Sequence, residues 1–260
     1  MFDVNLDNEY LADIDGTSEG TQIKFHRDDY WYKLDSFGGE GIAEELCSKI
    51  LTFSSLTDKE YVCYESGLIN NSKGCRSHNF LKNGEEFITL YRFYQLMTGE
   101  KLNDKTNLLD TPRERADFVL NFFQNTIDLD LSKYFAKIFT LDYIILNEDR
   151  HFNNLGFIRS ADGCYREAPI FDNGKSLLVG NHSVNWRLPL AENVKRTIAR
   201  PFSGSFQKNM ELFGIGFQLK IKDCIAEISR YPDCHEKEVL LFQLEKCQNL
   251  FHGQHGNTQI

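Results

Sequence analysis

Near Glu86 the chain changes its local pattern, and that change limits the architectures open to it. Before it, short extended segments alternate with turns. Gly16 and Gly20 break the chain ahead of Thr21 to Phe25, and Arg27-Asp28-Asp29 reads as a turn into Tyr30 to Leu34, which together predict a hairpin. After the flexible Gly38-Gly39-Glu40-Gly41, residues Ile42, Leu46, Ile50 and Leu51 recur at helical spacing, and extended segments are expected at Glu60 to Glu65 and Ser77 to Leu81. Beyond Glu86, Phe87 to Leu96, Arg113 to Gln124, Leu131 to Leu146, Phe217 to Arg230 and His235 to Phe251 read as helices with apolar faces. Pro112 suits the first turn of the second of these, where its missing N–H would have no partner. The expected class is α+β, with a small, mostly β lobe carrying one helix over residues 1–84 and a larger, mostly helical lobe over 85–260.

A chain of 260 residues can hold two such lobes of unequal size. With 41% apolar and 26% charged residues it has the profile of a folded protein. A net charge of −9, without a Lys/Arg stripe, argues against direct nucleic-acid binding. Met1 to Asp7 is acidic and lacks the basic start and apolar run of a secretory signal. The most apolar stretch, Tyr134 to Leu146, is too short and too polar, with Lys137 and Asp142 inside it, to span a bilayer. A cytoplasmic protein without a membrane partner is therefore expected. The seven cysteines contain no C-x-x-C and read as free thiols rather than zinc ligands, and His252 and His255 read as part of a frayed tail.

Asn147 to Asn154 is the most informative stretch. It packs polar side chains between the apolar helix 131–146 and a Leu155/Phe157 alternation that suggests a short strand. A second apolar segment, Ala168 to Phe171, ends directly in Asp172-Asn173-Gly174, and a turn at Asp162-Gly163 could bring the two acidic loops together as a ribbon. Phosphoryl transfer needs a carboxylate near the attacking hydroxyl and oxygen ligands for magnesium. Asp149 and Asn154 match the D-x-x-x-x-N half of a kinase catalytic loop, and Asp172 stands where a second magnesium-binding carboxylate would lie, with Asn173 in place of the usual aromatic. Asp149 could instead be a turn or capping carboxylate. His151 is either a brace for the loop or a general base. Arg150 either orients the loop or contacts substrate, and Asn153 rivals Asn154 as a metal ligand.

Lys33 in its aromatic segment could simply face solvent. As a strand lysine of a kinase lobe it would reach the nucleotide phosphates, steadied by a helix carboxylate, for which Glu44 is the choice over Glu45. Gly16, Thr17, Ser18 and Gly20 could cover a triphosphate through backbone amides and hydroxyls, although the spacing fits neither G-x-G-x-x-G nor a P-loop and an ordinary turn explains them as simply. Phe80 and Leu81, between the lobes, are placed for adenine contacts.

Trp31-Tyr32-Lys33, Ala43 to Ser48, Asn147 to Asn154 and Ala168 to Gly174 together resemble the HipA-like atypical serine/threonine kinases, and among them the small stand-alone CtkA-like bacterial forms. The Asp-Arg-His-x-x-Asn pattern is also similar to that of phosphoinositide-kinase-like enzymes. The resemblance implies a two-lobed protein-kinase-like fold, ATP and Mg2+ as cofactors, and transfer of the γ-phosphoryl group to a protein Ser or Thr, with autophosphorylation. It implies that Asp149 accepts the hydroxyl proton, that Lys33, paired with Glu44, holds phosphates, and that Asn154 and Asp172 hold magnesium. The chain departs from full-length HipA by lacking an additional N-terminal domain, so a toxin–antitoxin partner has no support in the sequence. The alternative readings are a small-molecule phosphotransferase of the aminoglycoside or sugar kinase type and a nucleotide-binding pseudokinase acting as an interaction module.

Overall fold

The structure is a computed structural model that describes residues 1–12 and 22–252. The sequence candidates Gly16, Thr17, Ser18 and Gly20, and His255 in the tail, lie outside the described residues.

The first lobe is built on a five-stranded sheet, in which β1 (Phe2–Val4), β4 (Tyr64–Ile69), β5 (Ser72–His78), β3 (Tyr30–Leu34) and β2 (Lys24–Arg27) follow one another in space. Only the β1–β4 pair is parallel. β4 and β5 are joined by Asn70 and Asn71, both with positive φ (50° and 62°), the backbone that a two-residue hairpin turn of matching twist requires and that asparagine tolerates. The β2–β3 hairpin turns at Asp28-Asp29, so that Lys24 stands opposite Lys33. α1 (Glu40–Leu51) lies across β4 and β5. Its close approach depends on two glycines, since a Cβ on Gly41 would stand 2.5 Å from the carbonyl oxygen of Gly74.

The second lobe contains α2 (Leu90–Thr98), α3 (Leu102–Asn107), α4 (Pro112–Ile127), α5 (Ser132–Ile145), α6 (Leu190–Val194), α7 (Phe206–Phe213), α8 (Ile221–Ser229), α9 (His235–Lys246) and α10 (Gln248–His252). Thr111 and Glu114 close a reciprocal capping box around Pro112 at the start of α4. A small antiparallel sheet of β6 (Glu86–Thr89), β7 (Gly156–Arg159) and β8 (Tyr165–Glu167) lies against the helices. Among the described residues no helix is long and apolar enough to cross a membrane.

Several elements differ from the sequence reading. The expected helix from Phe87 begins as strand β6, because Phe87 and Ile88 pair with Ile158 and Phe157 and helix starts only at Leu90, capped by the Thr89 hydroxyl. The strands expected at Glu60 to Glu65 and Ser77 to Leu81 are shifted to β4 and β5, and α8 starts later than Phe217. The short α3, α6 and α7 were not anticipated, having too few turns to show a period.

α1 belongs to both lobes. Ala43, Leu46, Cys47, Ile50 and Leu51 join the same apolar cluster as Phe135 and Phe139 of α5 and Val239 and Leu240 of α9. Glu45 accepts hydrogen bonds from the Ser66 hydroxyl of β4 and from Tyr231 OH at 2.7 Å, and Lys49 pairs with Glu227 at 3.2 Å. The helix is thereby fixed against the second lobe.

Candidate active site

Where β3, α1 and the loop after Phe171 converge, three charged side chains meet. The Lys33 ammonium lies 2.9 Å from Glu44 Oε1 and 2.9 Å from Asp172 Oδ1. Tyr64 OH stands 3.5 Å from the same nitrogen, and the other Glu44 oxygen accepts the backbone N–H of Asn173 at 2.8 Å. Helical geometry decides between the adjacent glutamates, because Glu44 points to Lys33 while Glu45 turns to Ser66 and Tyr231. Burial opposes ionisation of Asp172, but Lys33 and then Lys24 outweigh it and hold the carboxyl well below the usual carboxylate range. Burial would likewise lower the Lys33 pKa, yet Asp172 and Glu44 push it well up, so its charge is secured. Glu44, the most deeply buried of the three, is raised by burial against the pull of Lys33.

The loop that follows α5 is positioned by a second buried ion cluster. Arg150 is fully buried; its Nε and Nη2 grip Asp142 of α5 at 3.0 and 2.9 Å, Nη1 donates to the Phe171 carbonyl at 2.8 Å, and Nη2 donates to Asn173 Oδ1 at 2.7 Å. One guanidinium thus ties together α5, the Asp149 loop and the Asp172 loop, which fixes Arg150 as an orienting residue with no exposed surface for substrate. Asn147 adds a bond to the Asp172 carbonyl at 3.3 Å and accepts the Asp149 N–H at 3.0 Å. The Asp149 side chain itself is 42% exposed.

His151 Nδ1 accepts the Asn153 N–H at 3.2 Å, which places its proton on Nε2, facing Asp149 Oδ1 at 3.7 Å. At that separation the ring braces the loop and makes no hydrogen bond to the carboxylate. Asn153 takes the Thr89 hydroxyl at 3.4 Å, whereas Asn154 Nδ2 donates to the Asp149 carbonyl at 2.8 Å. That bond fixes the orientation of the Asn154 amide.

Beside Lys33 a cleft is lined by Lys24, Trp31, Phe80, Leu81, Phe87 and Phe171. The Phe87 and Phe171 rings meet edge to face at 5.1 Å, and Phe80 lies 5.6 Å from Phe171. Its aromatic and apolar lining, with the ammonium groups of Lys24 and Lys33 beside it, suits a flat heterocycle carrying an anionic tail. Among the described residues no three His, Cys, Asp or Glu side chains cluster as a metal cage. Magnesium is commonly held by one or two carboxylates with substrate phosphates completing the shell, and an ionised Asp172 with the Asn154 amide oxygen fits that donor chemistry.

Sequence reasoning did not single out Lys24, Tyr64 or Asp142. Lys24 is visible afterwards as the cross-strand partner of Lys33, and Asp142 as a carboxylate inside an otherwise apolar helix, eight residues before Arg150. Tyr64 carries no local signal.

No family model and no curated protein matches the chain. Among solved structures, it is similar to the proinflammatory kinase CtkA of Helicobacter pylori, with a TM-score of 0.63 and 17% identity over 88% of this chain and 90% of that one. The fold is therefore two-lobed, α+β and kinase-like, of the kind seen in that kinase.

Proposed function

We propose that the chain is an ATP- and magnesium-dependent serine/threonine protein kinase. The observation that carries this reading is the Lys33 ammonium held at once by Glu44 and Asp172 at the polar end of an aromatic cleft, with Asp149 and Asn154 on the loop that Arg150 locks to Asp172. Phe80 and Leu81 would contact adenine and Lys33 the α- and β-phosphates. Asp149 would orient the acceptor hydroxyl and take its proton as the new O–P bond forms and the bond to the departing ADP oxygen breaks. Asn154 and Asp172 would hold magnesium, which when bound neutralises charge on the β- and γ-phosphate oxygens. The 42% exposure of Asp149 favours an acceptor presented on another macromolecule over a small molecule enclosed in a pocket.

Intact-mass spectrometry of the full chain with MgATP, alone and with protein acceptors, beside Asp149→Ala, tests the reading. The expected result is a magnesium-dependent gain of about 80 Da per site, absent in the variant. Phosphorylation of an aminoglycoside or sugar instead would move the assignment to a small-molecule kinase. Nucleotide binding with no transfer to any acceptor would make the chain a pseudokinase.

A further inference from the structure

Phosphoryl transfer builds negative charge on the γ-phosphoryl oxygens, and a protein cation placed there adds to the neutralisation that bound magnesium supplies. In this chain neither Arg150 nor Lys33 is placed to be that cation, and Lys24 lines the aromatic cleft from the β2–β3 hairpin. Arg150, next to Asp149 in sequence, is fully buried and committed to Asp142, Asn173 and the Phe171 carbonyl. Lys33 is shared between Glu44 and Asp172.

Lys175 has different surroundings. Its backbone carbonyl accepts the N–H of Glu148 at 3.2 Å, which registers it directly against the Asp149 loop. Its ammonium lies over the Phe37 ring, 3.3 Å from the centroid, and among the described residues it makes no ion pair or hydrogen bond. Space for it is kept by Gly180, which has a φ of 67° and on which a Cβ would collide with Lys175 Nζ. Burial lowers the Lys175 pKa, opposed in order by Glu40, Asp149 and Glu148, so the acidic groups around it include the candidate catalytic carboxylate. A cation parked on an aromatic face keeps its charge and can leave the ring for a phosphate, which attracts it more strongly.

We propose that Lys175 is the cation that binds the γ-phosphate of ATP and stabilises the charge developing on it during transfer, supplied from the segment after Asp172 because the Asp149 loop has buried its own. This rests on the kinase reading above. The step it serves is the one already written: the acceptor oxygen bonds to the γ-phosphorus, the bond to the ADP oxygen breaks, and the acceptor proton goes to Asp149. Lys175 neither gains nor loses a proton.

The test is isothermal titration of the full chain and its Lys175→Met and Lys175→Arg variants with MgATP and with MgADP, alongside phosphoryl transfer rates. A γ-phosphate contact predicts that Lys175→Met weakens MgATP binding at least tenfold, leaves MgADP within twofold, and lowers the transfer rate, while Lys175→Arg restores part of each. A merely structural lysine would move both nucleotides together. Equal effects on MgATP and MgADP, or none, would overturn the assignment while wild-type transfer still upheld the kinase reading. Absence of nucleotide binding and transfer in the wild type would sink both.

Discussion

Lys33 and Arg150 are both buried cations held by carboxylates, yet their neighbourhoods differ. Every side of the Arg150 guanidinium is met by a fixed protein acceptor, and no part of the residue reaches solvent. Lys33 keeps 11% of its side chain exposed and borders an open cleft, and its partner Asp172 keeps 18%. A sealed, fully satisfied ion pair fixes geometry but cannot exchange partners. One at the wall of a cleft can give up one carboxylate contact for a phosphate at modest loss, because the remaining partner and solvent still screen the charge. The same chemical ingredients therefore make a rivet in one place and a binding group in the other.

The sharpest way to break that contrast is Arg150→Ala, which leaves Asp142 buried without its partner. Unfolding in urea should show a loss of about 3–5 kcal/mol, or a chain that does not fold. The double variant Asp142→Leu/Arg150→Met should recover much of it, and a single variant within about 1 kcal/mol of wild type would contradict the rivet role.

Asp149→Asn should do the opposite. Transfer should fall on the order of 10²–10⁴-fold with the thermal midpoint unchanged, as expected for a half-exposed carboxylate that holds nothing else in place.

The Lys33 cluster should also reveal itself through pH. The folded-state pKa of Asp172 lies below its unfolded value, so its contribution to stability is fully present above the ordinary carboxylate range and is lost as the pH falls through the depressed folded pKa. The stability gap between wild type and Asp172→Asn, followed by denaturant titration from neutral pH downward, should narrow steadily in acid. A gap independent of pH would mean that Lys33 does not hold the carboxylate ionised.

The smallest effect concerns the docking of α1. Tyr231→Phe removes one hydrogen bond to Glu45 and should lower stability by about 1 kcal/mol while leaving the transfer rate unaltered. A large loss of activity would show that the helix carrying Glu44 is held less firmly by its apolar face than its burial implies.

Much of this arrangement is legible along the chain. The hairpin carrying Lys33, the helix carrying Glu44, the apolar helix before Asp149 and the strand at Phe157 all lie where turn residues and apolar spacing put them. These are local signals, set by the residues immediately flanking each element. Phe87 and Ile88 show where such signals fail. Their apolar spacing runs on smoothly into α2, and only pairing with β7, some seventy residues away, makes them strand. Asn173 is a similar case, since its side chain serves Arg150 rather than filling the place of an aromatic, and nothing next to it in sequence says so.

By itself, then, the sequence determined the order of the lobes, the helix and strand that carry Glu44 and Lys33, and the two polar loops with Asp149 and Asp172, because each depends on short-range periodicity and turn chemistry. Only the tertiary structure decided that Glu44 rather than Glu45 meets Lys33, that Arg150 is spent on holding two loops together, that α1 is bound to both lobes, and that Lys175 stands over Phe37 beside the Asp149 loop. Each of those outcomes is a choice between side chains of equal local standing. It is made by which partner burial brings within reach, and by the large penalty for leaving a buried charge without one.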